Sequence, residues 1–452
     1  ILTRQVPYFK DGQARRGTEL DTLWAESQGN LQMTSQEQIY TGSILEHLLI
    51  QQLTAFYEVG EHNICRLRGA DWNDALDMAP ERGESVAFTC AYAGNLRELA
   101  EMIRALADTG SGKTTDLLEE LEVLLKDDKE LYNNISEKQQ VLARFTSLCR
   151  HHVSGRRKTF SLLSLAENLE HKAQWLSEHI RKQEWIQGEE DEGWFNSYYD
   201  DHGRAVEGIR EDQIRMMLTG QVFAIMGKVA EDSQIRSIIK SADHYLYEKE
   251  IGGYRLNTDF HELKFDLGRM FGFAYGEKEN GAVFSHMAVM YGNALYRRGY
   301  AKEGWKVLKS LSDTALDFNT SRIYPGIPEY FRSDGRGMYH YLTGAASWYM
   351  LTMVTQVFGV RGEGGDLIIA PKLLAEQFDS QGKASIRISF ANRTLDVIFE
   401  NADRKDYGNY TLASAVCEGR ELPVVDNSYG VLSQKTLDSL GDGLHSVTIK
   451  LI

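Results

Sequence analysis

Proline is almost missing from the first two-thirds of this chain. The sequence holds six prolines in 452 residues, and the first 320 contain only Pro7 and Pro80. An internal proline removes a helical hydrogen bond and clashes with the preceding turn, so a stretch this poor in proline suits long consecutive helices. Apolar residues recur at the matching spacing, as in Ile44-Leu48-Leu49-Leu53 and Leu96-Leu99-Met102-Ile103-Leu106. Between the helices lie loops at 65–78, 191–208, 252–286 and 321–344, rich in Gly, Asp, Asn and aromatic residues. They carry more Trp, Tyr and His than connectors need, which predicts that they build one functional face.

Two segments have a different texture. From 110 to 185 the chain is charged and poor in glycine, and the run from Asp116 to Leu125 reads as helical, so an inserted helical arm without catalytic residues is expected there. After Gly359 short alternating runs (367–370, 384–390, 395–399, 410–416 and 446–451) are punctuated by Gly, Asn and Asp, which predicts a small C-terminal antiparallel β-domain. The expected organisation is therefore helices with the 65–78 loop over 1–109, the arm over 110–185, further helices and loops over 186–360, and the β-domain over 361–452.

The formal net charge of −15 is spread along the chain. It argues against nucleic acid and against an anionic membrane as partners. Cys65, Cys90, Cys149 and Cys417 are far apart and form no CxxC pair, a pattern that fits reduced thiols in a cytoplasmic protein better than disulfides or a zinc site. No run of 18 apolar residues occurs. Neither a metal nor an organic cofactor is expected.

Each of the four loops has a chemical accent. Asp71-Trp72-Asn73-Asp74 packs two carboxylates, an amide and an indole into four residues, which serves either as an Asx-type turn or as a site for a polar, ring-shaped ligand. The second loop reads Trp194-Phe-Asn-Ser-Tyr-Tyr-Asp200, the third Tyr275-Gly-Glu-Lys-Glu-Asn-Gly-Ala-Val-Phe-Ser-His286, and the fourth Gly335-Arg-Gly-Met-Tyr-His-Tyr-Leu-Thr-Gly344. Aromatic faces interspersed with carboxylates, amides and a lysine suit carbohydrate, whose C–H faces stack on rings while its hydroxyls need fixed donors and acceptors.

Four stretches in order, GADWNDALDM, RGESVAF, KENGAVFSH and YLTGAASW, resemble the inverting glycoside phosphorylases related to cellobiose and chitobiose phosphorylase. The likeness covers most of the chain outside 110–185, and the longer arm is closest in character to the β-1,3- or β-1,2-oligoglucan phosphorylases. The resemblance implies a mainly α fold, an (α/α)6-barrel portion followed by the β-domain. It implies phosphorolysis of a β-linked gluco-oligosaccharide with inversion, reversibly releasing α-glucose 1-phosphate. Carried over by position, it makes Asp74 the general acid and Trp72 the ring beside it. It makes His286, Thr343 and Gly344 the phosphate ligands, and Lys278, Glu279 and, with less specificity, Gln221 sugar contacts.

The residue chemistry agrees with those roles. A phosphorylase needs only the acid, because phosphate is already a nucleophile, whereas an inverting hydrolase needs a second carboxylate to activate water, here Glu279 or Glu329. Asp74 must carry a proton to act, which predicts a buried carboxyl. Asp71 is expected to form the turn, His202, His261 and His340 to be surface or core histidines, and Trp194 and Tyr198 either to line the rim or to pack. Inorganic phosphate would be a co-substrate. The family's N-terminal β-sandwich and first barrel helices have no counterpart in this sequence. A second segment or chain completing the barrel is therefore expected, with a homodimer of the complete unit; a non-catalytic carbohydrate-binding half is the alternative.

Overall fold

The computed structural model describes residues 2–7, 31–108, 112–150, 152–210, 213–324, 326–341 and 343–452. The expected boundary at 109–110 lies outside them. The chain forms two compact units, Ile1–Ser241 with Phe260–Gly272, and Ala242–Asp259 with Phe273–Ile452.

The first unit is mainly helical. Helix α1 (Ile44–Tyr57) starts on Ser43, whose hydroxyl accepts from the Glu46 N–H at 3.1 Å and so satisfies a donor that the first turn leaves open. Helix α2 (Val86–Asp108) buries Val86, Cys90, Ala93, Leu96, Ala100 and Ile103, one stripe at helical spacing. After α3 (Lys129–Asn133) and α4 (Ile135–Cys149), helix α5 (Leu162–Gln183) lays its own stripe of Leu165, Leu169, Ala173, Leu176 and Ile180 along α2. Each such aliphatic side chain contributes about 1.5–3 kcal/mol when fully buried. Helix α6 (Leu218–Met226) also packs on α2, and α7 (Asp232–Tyr245) carries the chain from the first unit into the second.

Within 110–185 helices α3, α4 and α5 alternate with non-helical pieces, and the Asp116–Leu125 run expected to be helical is not. Thr114–Leu118 is a strand paired antiparallel with Arg157–Ser161, and Glu119–Val123 is a 3-10 turn. The Asp116–Leu125 run misleads because its leucines serve first a strand and then a tight turn. Behind them lies an aromatic cage holding two fully buried lysines. Lys138 Nζ donates to Asn63 Oδ1 at 2.8 Å and sits 4.1 Å from the Phe56 ring and 4.3 Å from Trp175. Lys172 Nζ donates to the Lys126 carbonyl and Asn168 Oδ1, both at 2.7 Å. Burial pushes Lys172 down to about 7 and Lys138 well below the usual ammonium range.

In the second unit α8 (Ser285–Arg297) packs on α9 (Ala301–Leu316), with α10 (Phe318–Ser321) after it, and α11 (Gly344–Thr352) packs on α8. A β-domain with a short helix, α12 (Gln434–Ser439), follows. One of its sheets is four-stranded and antiparallel, in the order 360–363, 366–369, 429–432, 424–425. The other is five-stranded and mixed, not antiparallel throughout as expected. Arg393–Glu400 pairs antiparallel with Lys383–Phe390 and parallel with Leu444–Leu451. The excursion between 400 and 444 supplies the crossover that a parallel pair needs and that alternation cannot reveal. Among the described residues no helix is long and apolar enough to cross a membrane.

Candidate active site

In the first unit the Asp71–Asp74 loop is built from consecutive Asx turns. Asp71 Oδ1 accepts from the Asn73 N–H at 3.0 Å, and Asn73 Oδ1 accepts from the Ala75 N–H at 3.1 Å. Asp71 Oδ2 accepts from the Ser85 hydroxyl at 2.8 Å, and burial raises the Asp71 carboxyl while these donors hold it back. Asp71 is thus a turn-former. The turn throws Asp74 outward, its side chain 85% exposed and its Oδ1 3.6 Å from the Arg269 guanidinium. The burial expected for Asp74 is absent, because three residues of tight turn leave no wall around it. Trp72 is half-buried beside it. The second loop pairs, through Tyr198–Tyr199, with Glu84–Ser85, the strand just before α2.

The third and fourth loops meet in the second unit. Val283–Phe284, Tyr330–Phe331 and Gly337–Met338 form a three-stranded sheet that ties the His286 loop to the Thr343 loop. His286 is the second residue of α8, and Thr343 and Gly344 open α11. A Cβ on Gly344 would lie 2.6 Å from both Cε1 and Nδ1 of His286, so only glycine lets the helix start against the imidazole. Thr343 is 6% exposed, and its hydroxyl has no hydrogen-bond partner among the described residues. Burial lowers the His286 imidazole, which is therefore neutral at pH 7. A neutral donor, an unsatisfied hydroxyl and the open N–H groups of a helix start together favour an anion.

Lys278 adopts a positive φ of 49°, and its ammonium lies 4.8 Å from the Phe273 ring and 5.7 Å from Tyr339. Glu279 Oε1 accepts from the Tyr330 hydroxyl at 2.7 Å, while Oε2 is buried and without a partner among the described residues. Glu329 Oε2 accepts from the Tyr341 hydroxyl at 2.7 Å.

Gln221 is a correction. It is fully buried, its Nε2 donates to the carbonyls of Phe195 (2.8 Å) and Met217 (3.0 Å), and its Oε1 accepts from the Phe195 N–H (2.8 Å). The amide splints backbone and has no face for a sugar. Trp194 and Tyr198 are fully buried and pack, and His202, His261 and His340 are exposed.

Sequence reasoning missed a buried carboxylate cluster in the first unit. Glu84 accepts from the N–H groups of His62 and Ile64 and from His62 Nδ1, whose ring stacks on Tyr199 at 3.6 Å. Glu184 accepts from Tyr199 (3.0 Å) and Asn196 (3.1 Å), and Glu207 from the N–H groups of Ser197 and Met217. Burial pushes Glu184 up to about 7 and Glu207 up to about 8. No local spacing links these residues. Among the described residues no group of three or more His, Cys, Asp or Glu could hold a metal ion.

Comparison with known proteins adds a family. Residues 26–127 and 141–359 match the catalytic domain of the glycosyl hydrolase 94 superfamily. The chain is 23% identical over 392 residues to a solabiose phosphorylase of Paenibacillus borealis, covering 84% of this chain and 42% of that protein. A 3-O-beta-D-glucopyranosyl-beta-D-glucuronide phosphorylase of the same organism is 21% identical over 347 residues, covering 74% of this chain and 37% of that one. A cellobionic acid phosphorylase of Neurospora crassa is 28% identical over 183 residues, covering 37% and 23%. The chain thus spans only about two-fifths of the length of the first two relatives. The family match takes in both the Asp74 loop and the His286–Gly344 loops and extends over well over half of the residues, and this chain belongs to the glycosyl hydrolase 94 superfamily.

Proposed function

We propose that this chain acts in the phosphorolysis of β-linked gluco-oligosaccharides with inversion, releasing α-glucose 1-phosphate, on a helical barrel of the (α/α)6 type. The observation that carries this reading is the constellation of His286, the buried and unsatisfied Thr343 hydroxyl, and Gly344 pressed against the imidazole at a helix start. It suits hydrogen phosphate, which needs aimed donors more than a net positive field. Of the carboxylates that a hydrolase would use as base, Glu329 and one oxygen of Glu279 accept from tyrosine hydroxyls, and Glu279 Oε2 remains the rival base that the assay below tests. The phosphorylase names of the relatives point the same way.

In the proposed step a phosphate oxygen attacks the anomeric carbon from the face opposite the leaving group, and the glycosidic C–O bond breaks. Asp74 gives its proton to the departing oxygen, and the proton of hydrogen phosphate makes that loss good. The products are glucose 1-phosphate dianion and a shortened sugar, with no cofactor consumed. Trp72 would supply a stacking face near the acid, and Lys278 and Glu279 polar contacts to hydroxyls.

The test is product analysis with and without inorganic phosphate. Phosphate-dependent release of α-glucose 1-phosphate is the expected result. Equal turnover in phosphate-free buffer, giving free glucose, overturns the reading in favour of an inverting hydrolase.

A further inference from the structure

The Asp74 loop is gripped by a segment from nearly two hundred residues further along the chain. The Met78 N–H donates to the Leu267 carbonyl and the Met270 N–H to the Ala75 carbonyl, both at 3.1 Å. Asn73 Nδ2 lies 3.6 Å from Met270 Sδ. Gly268 presses so closely that a Cβ there would fall 2.2 Å from the Ala75 carbonyl oxygen and 2.6 Å from Leu76 Cα. Arg269 completes the grip. Its Nη1 donates to the Asp74 carbonyl at 2.9 Å and to Asp77 Oδ2, its backbone N–H donates to Asp77 Oδ1 at 3.3 Å, and its Nη2 stands 3.6 Å from Asp74 Oδ1. Against the effect of burial, the Arg269 backbone N–H and then its guanidinium hold the Asp77 carboxyl below the usual carboxylate range.

We infer that Arg269 is the positioning residue of the acid, fixing the Asp74 backbone through its carbonyl and serving as counter-ion to the carboxylate that remains once the proton has left. This rests on the assignment of Asp74 as general acid. A surface ion pair alone is worth little, but this guanidinium is held in place by Asp77 and by the Asp74 carbonyl, so its charge stays beside the reacting carboxyl. Among the described residues, Arg269 on the gripping segment pairs with that carboxyl and with Asp77 on its own loop, while Asp71 is turned inward onto Asn73 and Ser85. The guanidinium offsets the negative charge that develops on the carboxyl as its proton leaves.

The experiment compares Arg269→Met, Arg269→Lys and Asp77→Asn with the unmodified active protein, reading kcat and both Michaelis constants. Arg269→Met is expected to lower kcat by about 10- to 100-fold, the worth of a misplaced acid, with Michaelis constants changed less than about threefold. Arg269→Lys keeps the charge and is expected to restore part of the rate. Asp77→Asn loosens the guanidinium and should lower kcat less, without unfolding the chain in a thermal melt. A kcat that does not fall in Arg269→Met, or that Arg269→Lys does not raise above it, overturns the inference. Asp74→Asn keeps it separate from the reading beneath it: full activity in that variant removes Asp74 as the acid, whereas an inactive Asp74→Asn beside an Arg269→Met of undiminished kcat removes only the role of Arg269.

Discussion

Asp74 shows 85% of its side chain to solvent, whereas Glu207, in the same unit, is 4% exposed. Glu207 accepts from two backbone N–H groups and is pushed up to about 8 by burial, with Glu184 beside it in a similar state. By the usual search for perturbed acids in clefts, the glutamates would be chosen. They are a poor choice, because every oxygen of Glu207 and Glu184 is already engaged by neighbours that hold a loop in shape. Asp74 has its carboxyl turned to where a glycosidic oxygen could reach it, and its loop is fixed from behind. If Asp74 is the acid, as proposed, saturation of hydrogen bonds separates the structural carboxylates from the reactive one better than the size of a titration shift.

The comparison can be broken most directly at Asp74. Asp74→Asn should cut phosphorolysis by about 10²- to 10⁴-fold, the worth of a positioned acid, and leave the thermal unfolding temperature unchanged. A variant that loses stability in step with activity would make Asp74 structural too. Glu207→Ala should do the reverse. Deleting a buried acceptor leaves the Ser197 and Met217 N–H groups unsatisfied and opens a small cavity, at a cost of about 2–4 kcal/mol in denaturant titrations, with the remaining folded fraction keeping its Michaelis constants.

Much of this contrast was hidden in the sequence, for a physical reason. Asp71-Trp72-Asn73-Asp74 could be read because Asx turns act over two residues, and proline scarcity with 3.6-residue spacing marked α1 and α2 for the same local reason. The strand runs after Gly359 could be read too, but not the parallel pairing of Arg393–Glu400 with Leu444–Leu451, which depends on a crossover. Glu84, Glu184 and Glu207 are joined through His62, Asn196 and Tyr199, and Arg269 reaches Asp74 across the chain. Such contacts leave no periodic trace. Gln221 was misread because a motif marks a position and not the direction of its amide.

His286→Ala is a smaller test. Because burial keeps the imidazole neutral, it would donate an ordinary hydrogen bond to phosphate, worth about 1 kcal/mol. The Michaelis constant for phosphate should rise about five- to tenfold, with that for the oligosaccharide nearly unchanged. A rise confined to the sugar constant would move His286 out of the anion site and take Thr343 and Gly344 with it.

A further test concerns pH. A carboxyl raised in the folded chain contributes stability that is fully present below its unfolded value and is lost as pH rises through its folded value, here from about 4.3 to about 8 for Glu207. Glu207→Gln, which cannot titrate, should therefore be destabilised most at pH 5, and its gap from the unmodified chain should narrow by pH 8. Denaturant midpoints at the two pH values check this, and a widening gap would mean that Glu207 is held as an anion.

The aromatic cage around Lys138 and Lys172 makes a built-in reporter of this region's integrity. Amine-reactive esters attack only uncharged amines that meet solvent, and these two, whose ammonium forms burial disfavours, are shut away from it. In a brief labelling pulse read by peptide mass spectrometry, solvent-facing Lys228 and Lys240 would saturate first. Acylation at 138 and 172 would then accumulate only as the packing of Phe56, Tyr132 and Trp175 around them breathes open, so the ratio of the two signals would report transient openings of the cage under conditions where bulk unfolding is too rare to see.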